Sequence, residues 1–508
     1  MKRAKKAVFI FLIVIAMVSI SVIAFLQYKF RTNSKPESVN MGSEMSMGSQ
    51  QRADHHAVSI DSYKLQDTTA PVKNYTLTAR VIKHQGSSDQ WSYNGVVPGP
   101  EIRVTQGDHV HITLINNLPV STSIHWHGIQ VPNAADGVAG LTQDAVKPGQ
   151  SYTYDFIAKD IGTYWYHSHT STSEQLPKGL IGSLIVDSKN PSQVDHDYTL
   201  IYHDENKQLS VLQIIWARIQ QIIEHKQIGQ AIEVNGKHIE VLSAKPGQIV
   251  RVRIINASGG DITGLPLKIV PIGTSYQVIA LDGHDIHEPQ QITSQILPIG
   301  QGQRYDVLFT MPVGAVKFVD LLNGETATIG QGTIAIPSNV AQFPFFDLTQ
   351  YGTATATATT SASNFDATYP IILGNHPGFR YGSIELIHTM SGKAFPDAPI
   401  ITVQEGQTIH LHLVNATDEY HPIHLHGHIF TVLKVNEKPV IGSPIHVDTI
   451  LVPPHQTADV AFIANNPGLW MLHCHILIHA EFGMDMMVVY PNIFTPYTIG
   501  TKSGNFPD

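Results

Sequence analysis

The chain has 508 residues, a length that predicts roughly two to four domains with large cores. Only 14% of the residues are charged, 39 are glycine and 30 are proline, which favours a turn-rich β protein over a helical or disordered one. The formal net charge of −9 disfavours nucleic acid as a partner.

The amino terminus is basic and then apolar. Four basic residues lie within the first six positions and precede an uncharged run over residues 7–27. The run is long enough to span a bilayer and ends without a small-x-small cleavage site, so residues 1–33 are predicted to be a signal anchor, with a cleaved signal peptide as the alternative. Either segment would export the remaining chain, membrane-anchored or secreted. Residues 34–64 are polar and are predicted to form a flexible tether.

Three stretches of the chain align with one another without gaps. Each begins with a glycine, continues with alternating apolar and polar residues and reaches an asparagine nine residues on. The stretches are Gly107–Asn116, Gly247–Asn256 and Gly406–Asn415. This pattern predicts a turn followed by a half-buried strand.

The three copies differ in the residues that could bind a metal. His-x-His motifs follow the first and third copies, whereas the middle copy carries Leu265 and Leu267 at that place. We therefore predict that the outer two domains bind metal and that the middle domain separates them. Repetition at about 150 residues indicates domain duplication, and short alternating strands favour Greek-key sandwiches. The predicted units are domain 1 (residues 65–190), domain 2 (191–350), a low-complexity linker (351–366) and domain 3 (367–508).

Four His-x-His pairs follow the repeats. On a strand, residues i and i+2 face the same side, so each pair presents two imidazoles together and suits neighbouring metal ions. The pairs are His125 and His127, His167 and His169, His424 and His426, and His473 and His475. Two further pairs, His109/His111 and His410/His412, lie on the alternating strands upstream and are predicted to be exposed strand residues.

Cys474 is the only cysteine of the chain, so it cannot form a disulfide within the chain and indicates chemistry instead. It lies inside one of the His-x-His pairs, and on a strand its side chain would point to the opposite face. A thiolate, two imidazoles and a weak axial methionine form a blue electron-transfer copper site. His479 and Met484 follow Cys474, and His421, just upstream of another pair, supplies the second imidazole.

The motifs HWHG, HSH, HPIHLH and HCHILIHAEFGM resemble, in order and spacing, the signatures of multicopper oxidases, in particular the bacterial three-domain laccase-like group. The resemblance covers about residues 65–495 and implies three cupredoxin-like domains and four copper ions. It implies a type 1 copper held by His421, Cys474, His479 and Met484. It implies a type 2 copper held by His125 and His424, and two type 3 coppers held by His127, His167 and His475 and by His169, His426 and His473.

The resemblance also implies an activity. The type 1 copper would take single electrons from phenolic or similar donors, and the trinuclear cluster would reduce dioxygen to water. The alternative is a metallo-oxidase that acts on Cu(I) or Fe(II) in metal tolerance. Copper-detoxifying relatives often carry a methionine-rich insert in domain 3, but residues 340–400 contain only Met390, so the phenolic donor is preferred. We expect a monomer.

Reduction of dioxygen also needs protons, and two acidic residues are candidates. Asp136, shortly after HWHG, matches an acidic residue that the family uses beside the cluster. Several bacterial relatives carry a glutamate directly before the histidine that His479 matches, but this chain has Ile478 there. Proton entry would therefore rely either on Asp136 with water or on Glu481, two residues beyond His479. Cys474 is the third catalytic candidate, because it would connect the type 1 copper with its two flanking histidines.

Overall fold

The computed structural model describes residues 35, 37–40, 57–66, 68–83, 89–191, 193–204, 231–259, 264–355 and 364–507. The predicted membrane segment over residues 1–33 lies outside these residues, as does most of the predicted tether. No helix within the described ranges is long and apolar enough to cross a membrane. The predicted linker is described only at its two ends.

The described strands of domain 1 form two four-stranded sheets, and strands are numbered in chain order throughout. The first sheet contains, in spatial order, β3 (Gln90–Tyr93), β2 (Val72–Ile82), β5 (His109–Asn117) and β7 (Ser151–Ile157). The second sheet contains β4 (Ile102–Thr105), β9 (Ile181–Asp187), β8 (Gly162–His167) and β6 (His125–His127).

Domain 2 repeats the two-sheet arrangement. Its first sheet contains β11 (Ile232–Val234), β10 (His196–Asp204), β13 (Ile249–Asn256), β18 (Arg304–Thr310), β15 (Gln277–Leu281) and β16 (His284–Asp285). Its second sheet contains β12 (Glu240–Leu242), β20 (Gly324–Gly330), β19 (Ala315–Asp320), β14 (Leu267–Ile272) and β17 (Leu297–Ile299).

Domain 3 again has two sheets. The first contains β22 (Ser383–Met390), β21 (Ala367–Arg380), β24 (Thr408–Asn415), β30 (Thr457–Ile463), β26 (Phe430–Val435) and β27 (Lys438–Pro439), with β28 (His446–Val447) also paired to β26. The second contains β23 (Ile400–Thr402), β32 (Asp485–Val489), β31 (Leu469–Cys474), β25 (His421–Leu425) and β29 (Thr449–Val452).

Short elements complete the described part of the chain. Two strands, β1 (Val58–Ser59) and β33 (Ile493–Phe494), pair in parallel. The α-helices are α1 (Thr172–Gln175) and α2 (Leu477–Glu481). The 3₁₀ helices are Ile60–Ser62, Asn133–Ala135 and Val340–Gln342.

The glycine and the alternation of each repeat determine its local structure. Gly107, Gly247 and Gly406 have φ angles of +90°, +86° and +88°, a region that favours glycine because it lacks a Cβ atom. The strands that follow, β5, β13 and β24, each pair in parallel with β2, β10 and β21, respectively. In β5, Val110 and Ile112 are fully buried, and burial of such side chains contributes roughly 1.5–3 kcal/mol each. The predicted all-β fold is confirmed, whereas the domain boundaries stay a prediction.

Candidate metal centres

Cross-strand pairing brings the predicted ligands together. In domain 1, β6 pairs antiparallel with β8 and places His125 opposite His167. In domain 3, β25 pairs antiparallel with β31 and places His424 opposite His473. The equivalent strands of domain 2, β14 and β19, pair in the same way but carry no histidine. The fold therefore presents a histidine surface on each of the outer domains.

The strand argument for the His-x-His pairs holds only in part. Both residues of the first pair lie on β6, whereas β8 ends at the first histidine of its pair and β25 and β31 each end one residue before the second histidine. The two rings of each pair nevertheless stay together, with centroids 6.0, 5.8, 4.9 and 5.9 Å apart in chain order. Beyond the strand ends, contacts with the opposing domain maintain this placement.

The histidines of domains 1 and 3 meet at one interface. The ring of His125 stacks on that of His426 with centroids 3.9 Å apart, and His127 stacks on His424 at 3.8 Å. The remaining four histidines approach across the same interface, with centroid distances of 5.4 Å for His167 and His475 and 5.7 Å for His169 and His473. All eight predicted trinuclear ligands thus form one buried cluster between the two domains.

Hydrogen bonds on the outer side fix the orientation of six of these rings. Such bonds hold a ring in place and decide which nitrogen is left to bind a metal. The Nδ1 atoms of His125, His167, His424 and His473 donate to the backbone oxygens of Asp136, Ser168, Asp448 and Cys474 at 2.8–3.0 Å. Nδ1 of His426 donates to Asp136 Oδ2 at 2.9 Å, and Nε2 of His127 donates to Asp448 Oδ1 at 3.0 Å.

Several other ring nitrogens of the cluster histidines are buried and have no hydrogen-bond partner in the described part of the chain. Within the described residues, the atoms without a hydrogen-bond partner include Nε2 of His125, His167 and His424, Nδ1 of His127 and both ring nitrogens of His169 and His475. Nε2 of His426 and Nε2 of His473 face each other at 3.1 Å. Buried polar atoms are rarely left unpaired, so convergent imidazole nitrogens of this kind fit a metal cluster.

Burial also sets the protonation of the cluster. Desolvation, reinforced by neighbouring imidazoles, lowers the pKa well below the ordinary value for His167, His169 and His475. Desolvation and the adjacent histidines do the same to the pKa of His426. These rings are therefore neutral near pH 7, and a neutral imidazole is the form that binds a metal.

A second centre lies around Cys474. Its Sγ atom is 3.7 Å from Nδ1 of His421 and 3.7 Å from Nδ1 of His479, and these two nitrogens are 3.2 Å apart. Met484 is buried beside them, and its backbone oxygen accepts a hydrogen bond from Cys474 N at 3.0 Å. Burial raises the pKa of the Cys474 thiol, so a bound cation is required to form the thiolate. This donor set fits a blue copper site.

The two centres share one strand. Cys474 belongs to the second centre, whereas its neighbours His473 and His475 belong to the cluster, as the opposite-face argument predicts. Two consecutive peptide units therefore connect the thiol with two cluster imidazoles.

The acidic candidates lie in different surroundings. Asp136 is buried against the cluster: its Oδ2 accepts from His426, and its Oδ1 is 3.2 Å from His125 Nδ1. Glu481, on α2, accepts a hydrogen bond from Ser173 Oγ at 2.7 Å and lines a surface cavity with Arg380. The contacts thus place Asp136 on the cluster and connect Glu481 with α1.

A buried carboxylate that no motif indicates supports the cluster from outside. Asp448 accepts from His127 Nε2, and Nη1 and Nη2 of Arg304, from domain 2, donate to its two oxygens at 2.8 and 2.7 Å. Burial acts to raise the pKa of Asp448, but Arg304 and the bonds from His127 and His424 outweigh it and hold that pKa well below its usual range. Domain 2 therefore contributes a fixed cation behind the predicted metal ligands.

Comparisons with known proteins find one family over most of the chain. Three family profiles described as multicopper oxidase match residues 76–191, 201–328 and 364–493. The chain is 30% identical to the multicopper oxidase MmcO of Mycobacterium tuberculosis, over 78% of this chain and 82% of that protein. It is 28% identical to Laccase-1 of Botryotinia fuckeliana, over 88% of this chain and 86% of that protein. A solved multi-copper oxidase of Pseudomonas thermotolerans aligns with a TM-score of 0.67 at 27% identity, over 83% and 100% of the two chains.

Proposed function

The chain belongs to the multicopper oxidases, copper-dependent oxidoreductases that use dioxygen, and from this we propose that it oxidises phenolic or similar one-electron donors and reduces dioxygen to water. The observation that carries the proposal is the shared strand β31, on which His473 of the cluster directly precedes Cys474 of the other centre, while His475 of the cluster follows directly after the strand end. With copper bound, this short covalent connection would join a centre that takes electrons singly to a cluster that can accept several.

We infer four copper ions, each with its own ligands. The type 1 ion would be held by His421, Cys474, His479 and Met484. The type 2 ion would be held by His125 and His424, and the type 3 ions by His127, His167 and His475 and by His169, His426 and His473. Bound copper would supply one-electron oxidation at the type 1 site and dioxygen reduction at the other three ions.

The protein's own residues position these ligands and supply protons. Asp136 holds His426 through its carboxylate and His125 through its backbone oxygen, and we infer that the same carboxylate delivers protons with the help of water. The Glu481 carboxylate accepts a hydrogen bond from Ser173, so its part in proton delivery rests on the sequence alone.

The variant Asp136→Asn should lower dioxygen uptake by roughly 10–100-fold, because outer hydrogen-bond partners of metal ligands commonly have effects of that size. The asparagine keeps the backbone contact to His125 and removes only the carboxylate. Glu481→Gln is the matched control and should change uptake less than about twofold, because its hydrogen-bond partner is a partly buried serine on α1 and not a cluster histidine. Equal losses in the two variants would assign proton delivery to Glu481 as well.

A metal-ion donor is the second candidate, and one observation favours it. Glu419 Oε2 lies 3.7 Å from Nε2 of His479 and also accepts from His388 Nε2 at 2.9 Å. A buried carboxylate beside the histidine through which electrons would enter attracts a cationic donor more than a neutral phenol.

Dioxygen uptake with single donors tests the proposal. We expect a methoxyphenol to support faster uptake than Fe(II) or Cu(I), and Glu419→Gln to lower the rate with Fe(II) or Cu(I) more than the rate with the phenol, because it removes the charge that would attract a cationic donor. Uptake only with Fe(II) or Cu(I), lowered by Glu419→Gln, would replace the phenolic donor by the metal ion. The copper content of each preparation is measured in parallel, so that a poorly loaded enzyme is recognised.

We further propose that residues 1–33 place the enzyme outside the cytoplasm, because their basic start and long uncharged run fit a signal anchor. Mass spectrometry of the protein from the membrane fraction tests this. Intact residues 1–33 support the anchor, a chain that begins after them supports a cleaved signal peptide, and a cytoplasmic protein would contradict both.

A further inference from the structure

Three side chains converge on the outer face of the first sheet of domain 1. His111 on β5 lies directly opposite Asp155 on β7. Oδ1 of Asp155 accepts hydrogen bonds from Nε2 of His109 at 2.7 Å and from Nδ1 of His111 at 2.8 Å. The two nitrogens and the oxygen all lie within 4.8 Å of one another. We refer to these three residues as the domain 1 triad.

The triad is separate from the copper centres. His109 and His111 alternate along β5 with Val110 and Ile112, which point into the core and are fully buried. The cluster ligands of domain 1 lie on β6 and β8, in the second sheet. The side chains of His109, His111 and Asp155 are 17%, 36% and 37% exposed, so an ion in solution can reach them.

The duplicated scaffold repeats this arrangement atom for atom in domain 3. Oδ1 of Asp459 accepts from Nε2 of His410 at 2.8 Å and from Nδ1 of His412 at 3.0 Å. A cation already faces this second group, because Lys434 Nζ lies 3.9 Å from Asp459 Oδ2. The ring of Phe365 also stacks on His410, with centroids 4.7 Å apart.

In domain 2, the position equivalent to the triad carries two arginines in place of the two histidines. Asp306 on β18 lies opposite Arg253 on β13 and forms ion pairs with Arg251 and Arg253. Guanidinium groups stay charged and cannot bind a metal. In domain 1 the pair consists of imidazoles, and within the described residues Asp155 forms ion pairs with these two alone.

We propose that the domain 1 triad binds one divalent transition-metal ion, with Cu(II) bound most tightly, in addition to the family's copper centres. Two imidazole nitrogens and one carboxylate oxygen suit Cu(II) and Zn(II), and Cu(II) has the highest affinity of the first-row divalent ions. Metal–ligand bonds of about 2.0–2.2 Å place neighbouring donor atoms roughly 3 Å apart, so the two contacts to Asp155 need to lengthen by only a few tenths of an ångström. The solvent-facing side leaves positions for water.

Binding of Cu(II) to the copper-loaded full chain tests the proposal. We expect equilibrium dialysis against CuSO₄ to load wild type with one copper ion more than the double variant His109→Gln/His111→Gln. Electron paramagnetic resonance should show a corresponding Cu(II) signal with nitrogen coupling that the variant lacks. The blue absorption and the oxidase rate should be unchanged, because the triad touches neither copper centre, and they report that the variant is folded.

The double variant His410→Gln/His412→Gln is the matched control and should keep the additional ion. Equal copper uptake by wild type and the His109/His111 variant would overturn the proposal. Loss of the ion from the His410/His412 variant instead would overturn its assignment to domain 1. Asp155→Asn, which keeps both imidazoles and the shape of the site, should weaken Cu(II) binding by roughly tenfold or more through loss of the charged ligand.

Discussion

Replacing Cys474 with serine should lower the rate of donor oxidation by more than roughly 100-fold, the upper end of the range seen for residues that only support a metal ligand. The thiol is both the central donor of the second centre, 3.7 Å from each of two imidazole nitrogens, and the residue that joins this centre to the cluster. A serine hydroxyl is a poor ligand for copper in this site, so the blue absorption should disappear as well.

Two measurements distinguish this expectation from simple misfolding. His473 and His475 are unchanged in Cys474→Ser, so the cluster should keep its copper and its paramagnetic signal. Met471→Leu is a matched control on the same buried strand, and a volume-conserving core change should cost less than about 1.5 kcal/mol and leave turnover near wild type. A serine variant that turned over at the wild-type rate would contradict the shared-strand route.

Replacing Arg304 with leucine should destabilise the protein by about 3–5 kcal/mol, because it leaves a buried charge without its partner. The guanidinium is fully buried and donates to both oxygens of Asp448, to the backbone oxygen of Asp282 and to that of Thr163. Desolvation and the nearby Asp448 already raise the pKa of Asp282 to about 8 against the opposing effect of Arg304. Without Arg304, the carboxyl groups of Asp282 and Asp448 remain together in a buried site that lacks their cation.

Removal of Arg304 should also disturb the histidines that are predicted to bind copper. Asp448 holds His127 by its carboxylate and His424 by its backbone oxygen, so copper content should fall along with the midpoint of thermal unfolding. Arg103→Leu is the control, because Arg103 is 35% exposed in its ion pairs with Glu101 and Asp197 and should cost only about 0–1 kcal/mol. Equal shifts of the midpoint for the two variants would contradict the role assigned to Arg304.

The parts of the site that the sequence predicts are those that repeat or carry rare chemistry. In β5 and β24, the alternation of apolar and polar residues predicts which face of the strand is buried, because successive side chains on a strand point to opposite faces. The His-x-His pairs and Cys474 can be recognised in the sequence because histidines and cysteines seldom cluster by chance. The strand-face argument does not apply to His169, His426 and His475, which lie beyond the strand ends, yet their rings still lie beside those of their partners.

The residues that sequence reasoning missed act through tertiary contacts. Arg304 and Asp448 come from different domains, and nothing in their local sequence indicates that they pair. Glu419 and His388 lie on separate segments and meet only at the side of His479. His109 and His111 are predicted to be exposed strand residues; both lie on β5 but are only partly exposed, because both contact Asp155 across the sheet, which the local sequence does not reveal.

The most direct test of the account is the ratio of donor molecules oxidised to dioxygen consumed, with hydrogen peroxide assayed in the same vessel. Using a methoxyphenol as the donor and the fully copper-loaded enzyme, we predict four one-electron oxidations for each dioxygen and no accumulation of peroxide. A ratio of two with matching peroxide would mean that the cluster between domains 1 and 3 does not complete the reduction of dioxygen to water.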